Sequence, residues 1–255
     1  MKKLRFLAVT TLMYTFAYPA FAEDATTASI SNPNAPVTRG ELHELVKQAI
    51  MDEPEIIMNA VHKLRDKIEA DNQKQTQESI SKHRNDLLAD KTSPSVGAKN
   101  GDVTIVLFFD YHCGYCKKLL PTVTKLLEED KKVRIVFREY PILSEDSVAA
   151  SRAALAVYRT APDKYFAFHS ALMKAQGAFS EEVLLSTAEK VGANRVAVKN
   201  ELDKGAVTQQ LDQNRKLGED LGVRGTPALF VGERLLPGAV PYEQLKRVIA
   251  EVRSG

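Results

Sequence analysis

The 255-residue sequence contains no tryptophan and only two cysteines. Its charges nearly cancel, with 35 Lys and Arg against 33 Asp and Glu. Beyond residue 22 it has no long apolar run, no internal repeat and no low-complexity tract. Each shortage excludes something. Two cysteines cannot staple a small scaffold together, and they fall short of the four ligands of a structural zinc site. A net charge of +2, with both signs interspersed, leaves no basic stripe to follow a nucleic-acid backbone. Without a stretch of about 20 apolar residues, the chain after residue 22 is expected to be soluble.

What is present begins at the N-terminus, MKKLRFLAVTTLMYTFAYPAFAED. Lys2, Lys3 and Arg5 precede an apolar stretch over residues 6–17, and Ala20-Phe21-Ala22 supplies a small-x-small cleavage pattern. Residues 1–22 are therefore read as a signal peptide, which places the mature chain in an oxidising compartment. Residues 23–37 are rich in Ser, Thr, Asn and Pro and read as a flexible lead-in.

Thr38 and Glu41 then fit a capping box, with Leu42, Leu45, Val46 and Ala49 following at helical spacing. Pro54 suits a first helical turn, where its missing N–H costs nothing. Ile57, Val61, Leu64 and Ile68 form a short heptad-like seam, after which the sequence stays helix-prone but turns polar through Leu88. Residues 38–90 are expected to form a helical oligomerisation arm and stalk. Packing of these helices onto the domain that follows is the alternative. The Ser, Pro and Gly content of residues 91–102 predicts a linker.

The second domain is predicted over residues 103–255. VTIVLFF and VRIVFRE read as buried strands around a helix that starts near Gly114. A helical stretch over about 144–221 follows, broken near Pro162, Gly177, Gly192 and Gly205. PALFV and RLL then read as strands, and a helix runs from Pro241 to Val252. The fold class is α/β. Tyr165, Phe166, Phe168 and His169 open a helix of the insert and read as core.

Both cysteines lie in FFDYHCGYCKK, spaced as Cys113-Gly114-Tyr115-Cys116. Half of a zinc site lacks its second pair of ligands. A staple closing so short a loop gains little entropy. A redox dithiol fits the strand-to-helix junction. Free amides at the helix start stabilise a thiolate on Cys113 relative to a free thiol. Cys113 is thus the expected nucleophile and Cys116, one turn further in, the resolving thiol. His112, Gly114 and Tyr115 are expected to tune the pair, while Lys117 and Lys118 read as solvent-facing. Thr226 and Pro227 precede a strand, where a proline marks the first residue; on base rates the Thr226–Pro227 bond is trans.

FFDYHCGYC, the helical insert and GTPALFVGERLLPG together resemble the thioredoxin-fold thiol oxidoreductases of the bacterial periplasm, the DsbA, DsbC and DsbG group. The resemblance covers about residues 103–252. It implies a thioredoxin fold with an inserted helical subdomain and a cis Pro227 opposite Cys113. Thr226 would then offer its backbone to an extended substrate peptide. Cys-Gly-Tyr-Cys, Thr226 and Asp110 are more similar to DsbC than to DsbA. Two features depart from the group: Leu107 occupies the position of a buried acid, and the N-terminal region reads as helices rather than sheet. That arm resembles those of secreted DsbA-like proteins that act as dimers or trimers.

The expected function is disulfide formation and isomerisation in secreted proteins, in the periplasm of a Gram-negative bacterium after cleavage near Ala22. Expected partners are unfolded or misoxidised secreted proteins, a membrane redox protein of DsbB or DsbD type, and further copies of the chain, a dimer before a trimer. No cofactor, metal or nucleic acid is expected. A dedicated thiol oxidase, a chaperone-like binding protein and a copper-handling dithiol are the alternatives.

Overall fold

The structure, a computed structural model, describes residues 36–254, so the expected signal peptide and most of the expected lead-in lie outside the described residues. The chain divides into two compact units between Val61 and His62.

In the first unit, helix α1 (Arg39–Asp52) starts on the capping box expected from the sequence. The Glu41 N–H donates to Thr38 Oγ1 at 3.3 Å, and the Thr38 N–H donates to Glu41 Oε2 at 2.9 Å. α1 buries none of its residues: Leu42, Leu45 and Val46 are 41–56% exposed. Helix α2 (Glu55–Lys82) begins directly after Pro54 and contains the division between the units.

The second unit holds the rest of α2, a short helix α3 (Arg84–Leu88), and a five-stranded sheet. The helix expected to run on through Leu88 is interrupted at His83, whose φ and ψ leave the helical region. Strand β1 (Ser95–Gly97) is short, and β2 (Val103–Phe109) leads through helix α4 (Gly114–Glu129) to β3 (Val133–Glu139). The insert comprises α5 (Glu145–Thr160), a 3-10 turn over Pro162–Lys164, α6 (Tyr165–Lys174), α7 (Glu181–Lys190), α8 (Arg195–Leu202) and α9 (Gly205–Asp220). Strands β4 (Ala228–Val231) and β5 (Arg234–Pro237) and helix α10 (Tyr242–Ser254) close the chain.

The sheet order is β1-β3-β2-β4-β5. β2 and β3 are parallel, with Phe109 beside Glu139, whereas β4 runs antiparallel to β2. Both faces are covered, so β2 is a near-continuous apolar run and β3 carries successive apolar residues at Ile135, Val136 and Phe137. Ile105, Leu107, Phe109, Ile135 and Phe137 belong to one core with α4, α10 and the insert. Val106, Phe108, Val136 and Phe230 belong to a second core, shared with Leu217, Leu221, Ile80 and Leu87.

The sheet edge and that second core each correct a boundary. Residues 91–102, expected as a linker, carry an edge strand that pairs antiparallel with β3. The end of the supposed stalk is part of the domain: Ile80 and Leu87 are almost fully buried. Arg138 fastens the segment. It pairs with Asp90 at 2.9 Å, donates to Ser93 Oγ and Asn214 Oδ1 at 3.0 and 3.1 Å, and donates to the Asp86 carbonyl. A buried guanidinium needs this many partners to offset its desolvation.

Candidate active site

β2 ends at Phe109, and the chain turns through Asp110, Tyr111 and His112 into α4, whose N-cap is Cys113. The Cys116 N–H donates to Cys113 Sγ at 3.4 Å, the capping bond that a serine would accept elsewhere. Cys113 Sγ in turn lies 3.2 Å from the carbonyl oxygen of Thr226, to which the thiol donates. The sheet thus brings together two constellations 113 residues apart. The Thr226–Pro227 bond is cis, as the family resemblance implied and base rates did not.

The two sulfurs differ in surroundings. Both cysteines are mostly buried, at 7% and 4% exposure, but Cys113 carries the capping N–H and the Thr226 carbonyl. Burial pushes the Cys116 thiol far above the ordinary thiol range. Cys116 is therefore held as a protonated thiol.

The other expected tuning residues take distinct positions. Gly114 is exposed, and an added Cβ there would meet nothing within 4 Å, so its glycine is not a steric requirement. Tyr115 is 64% exposed, with Lys118 Nζ 5.3 Å from its ring centre. His112 is half-buried, its ring 4.8 Å from that of Phe179 and its Nε2 3.8 Å from Asp146 Oδ2. Lys117 corrects its expectation: rather than facing solvent, it donates from Nζ to the Ala175 carbonyl at 2.7 Å, just beyond α6.

Two acidic residues matter more than the sequence suggested. Asp110 is fully buried and accepts four hydrogen bonds. His112 N–H and Ser147 Oγ–H donate to Oδ1, both at 2.7 Å. Ile142 N–H and Leu143 N–H donate to Oδ2 at 2.9 and 3.1 Å. One carboxylate thereby ties the Cys113 loop to the segment between β3 and α5. Its lone pairs are fully committed.

Glu139, the last residue of β3, is also fully buried. Its Oε1 accepts from Tyr111 and Tyr165 hydroxyls at 3.0 and 2.8 Å, while Oε2 has no hydrogen-bond partner among the described residues. The Tyr111 hydroxyl also lies 3.2 Å from Nδ1 of His169. Burial pushes the Glu139 carboxyl up to about 8 and the His169 imidazole down to about 3. The signal for Glu139 lay in VRIVFRE, where the two-residue period of a strand puts it on the face of Ile135 and Phe137. Tyr165, Phe168 and His169 are core residues, as their spacing indicated.

Comparison with known proteins agrees with this fold. Residues 104–250 match the family model described as a DSBA-like thioredoxin domain. The thiol-disulfide exchange protein alpha-DsbA2 from Wolbachia pipientis is 34% identical, covers 72% of this chain and 98% of its own, and superposes with a TM-score of 0.67. BcfH from Salmonella enterica Typhimurium is 27% identical over 84% of this chain and 95% of its own, with a TM-score of 0.71. That share exceeds the extent of residues 104–250, so this likeness reaches into the preceding segment. "Disulfide bond formation protein D" of Bacillus subtilis is 24% identical over 177 residues, 65% of this chain and 79% of its own.

Proposed function

The chain belongs to the DsbA-like thioredoxin family of thiol-disulfide oxidoreductases, and from that premise we propose that it forms and isomerises disulfide bonds in secreted proteins through Cys113 and Cys116. The observation that carries the reading is the juxtaposition of Cys113 Sγ, at the N-cap of α4, with the Thr226 carbonyl 3.2 Å away. An extended substrate would pair with the backbone of Thr226, and its sulfur would then lie against Cys113.

In the oxidising direction a substrate thiolate attacks Cys113 Sγ of the Cys113–Cys116 disulfide. The S–S bond breaks, and Cys116 leaves with the electron pair and takes a proton. A second substrate thiolate then attacks the substrate sulfur of the mixed disulfide. Cys113 is released as a thiolate, and the substrate has lost two electrons to the enzyme. In the isomerising direction the Cys113 thiolate attacks a wrong substrate disulfide, and the released substrate thiolate attacks elsewhere in the same chain. Cys116 intervenes only when it loses its proton, and burial opposes that loss. A mixed disulfide that Cys116 is slow to resolve has time to rearrange. This asymmetry favours isomerisation beside oxidation.

The N-terminal helices fit an association role. Leu42, Leu45 and Val46 on α1, and Ile57, Leu64 and Ile68 on α2, are all more than two-fifths exposed. Apolar residues repeated at helical spacing and left in water are the seam of a helix–helix contact between copies. Self-association would hold several Cys113 sites around one substrate. A location in the periplasm, with recycling by a membrane redox protein, completes the reading.

The test is refolding of a scrambled multi-disulfide protein by the full mature chain. Cys113→Ser should abolish the activity, and Cys116→Ser should accumulate a substrate adduct on Cys113. Full activity in Cys113→Ser would refute the assignment. Trapping thiols in intact cells separates the roles, a mostly reduced pair marking an isomerase and an oxidised pair a dedicated oxidase. A Leu42→Glu, Leu45→Glu, Val46→Glu variant should have the mass of one chain in solution; an unchanged mass removes α1 from assembly.

A further inference from the structure

The buried polar cluster at the end of β3 has no part in the exchange steps above. It comprises Glu139, Tyr111 from the Cys113 loop, and Tyr165 and His169 from α6. We propose that Glu139 is a positioning residue that acts through Tyr111 on the Cys113 loop and takes up a proton when the Cys113–Cys116 disulfide is reduced. The inference rests on the dithiol reading.

The geometry allows two proton arrangements. The Tyr111 hydroxyl has one proton to give and stands between Glu139 Oε1 at 3.0 Å and His169 Nδ1 at 3.2 Å. With Glu139 ionised, Tyr111 donates to it, and His169 presents Nδ1–H to the Tyr111 oxygen. With Glu139 protonated, the carboxyl donates, and Tyr111 turns its proton to a bare Nδ1. Either state leaves Tyr111 and His169 satisfied. The cost of the anion is its burial. Among the described residues Oε2 has no partner within hydrogen-bond distance, the buried and likewise unpaired Ser151 hydroxyl being the donor left to meet it. Tyr165 donates to Oε1 at 2.8 Å, and the Ser151 hydroxyl of α5 also favours the anion. The remaining charge facing Glu139 from the loop is Asp110, which disfavours the anion. Arg138, its chain neighbour, lies on the opposite sheet face with Asp90. Among the described residues, therefore, no cation offsets a negative Glu139.

Reduction by a dithiol puts two electrons into the disulfide and a proton on Cys116, and it turns Cys113 into a thiol whose ionisation places a negative charge in the loop. That charge appears two residues from Tyr111, in a core where charges are weakly screened. Glu139, which titrates at about 8, then holds its proton more tightly. Reduction of the disulfide is consequently coupled to a proton at Glu139, and the coupling is expressed as pH rises through that range.

The experiment equilibrates the full mature protein with glutathione from pH 6 to 10 and compares wild type with Glu139→Gln. The neutral amide mimics the protonated acid, so the two equilibrium constants should agree at pH 6. They should diverge above pH 8, Glu139→Gln being reduced more readily by about threefold or more. Tyr111→Phe keeps the acid but removes a donor to its anion, so the break should move to higher pH. Parallel pH profiles for wild type and Glu139→Gln would overturn the proposal, because a merely structural role shifts stability without moving the profile. If Glu139→Gln fails to fold, an unmoved break in Tyr111→Phe overturns it instead. Absence of any exchange with glutathione in the wild type would sink the dithiol reading itself, and this inference with it.

Discussion

Replacing Asp110 with asparagine tests the joint between the Cys113 loop and the segment before α5. The carboxylate accepts four hydrogen bonds, two on each oxygen, and three of the donors are backbone N–H groups. Asparagine offers one oxygen and one NH2, so either orientation turns an NH2 toward existing donors. With NH2 in place of Oδ2, the Ile142 and Leu143 N–H groups are both orphaned. With NH2 in place of Oδ1, the Ser147 hydroxyl can rotate to accept, and only the His112 N–H is lost. The second orientation is the cheaper. It forfeits a charge-assisted bond worth about 1.5–3 kcal/mol and strands a buried donor at about 1–3 kcal/mol. The expected loss is about 3–5 kcal/mol, a large share of a typical stability of about 5–15 kcal/mol. Urea unfolding followed by circular dichroism measures it as a fall in midpoint at constant slope. Ser147→Ala is the control: it removes one donor, leaves three, and should cost about 1 kcal/mol. A loss below about 1 kcal/mol in Asp110→Asn would refute the reasoning, since it would mean the loop does not depend on these bonds.

Stability should also depend on pH through Glu139 and His169, with opposite signs. Glu139 is raised from 4.5 to about 8, so between those values the folded state holds a proton that the unfolded state has lost. Stability then falls as pH rises, by up to about 1.4 kcal/mol per unit, and Glu139→Gln should erase that slope. His169 is lowered from 6.5 to about 3, so below 6.5 the unfolded chain is protonated while the folded state is not, and stability falls as pH drops. The two slopes oppose each other between about 4.5 and 6.5, where the contribution of the cluster should be flat. Wild-type minus Glu139→Gln urea midpoints that do not change between pH 5 and 8 would contradict this. Gly218→Ala on α9 should destabilise by about 1–3 kcal/mol, because the new Cβ would lie 2.6 Å from Cε2 of Tyr140. An alanine there that stabilises, as it does by about 1 kcal/mol in an unobstructed helix, would show that Tyr140 yields.

Much of this architecture was legible because several signals act locally. VTIVLFF and the central IVF of VRIVFRE are apolar on successive residues because both sheet faces are covered, and Thr38 with Glu41 declares a helix start without help from tertiary structure. The failures share a cause. Ile80 and Leu87 are isolated apolar residues in a polar stretch, and only the second sheet face, distant in sequence, gives them something to cover. Ser95–Gly97 is too short to show a period and becomes a strand because the edge of β3 is free to pair. Lys117 lies on a first helical turn that would ordinarily meet water, but the end of α6 is packed beside it.

The site depends on the same kind of long-range placement, and sheet direction explains it. β2 lies between β3 and β4. Because β3 is parallel to β2, its last residue, Glu139, stands beside Phe109 at the end from which the Cys113 loop departs. Because β4 is antiparallel, its beginning lies at that same end, which brings Thr226 and Pro227 against Cys113. Had β4 run parallel, Thr226 and Pro227 would sit at the far end of a seven-residue strand, roughly 20 Å away at about 3.3 Å per residue. One mixed choice of strand direction therefore supplies the dithiol with the Thr226 carbonyl on one side and a buried acid on the other. Neither neighbour is encoded near Cys-Gly-Tyr-Cys. Substitutions in β3 that shift its register by one residue would turn Glu139 to the opposite face of the sheet and leave the cysteines themselves intact.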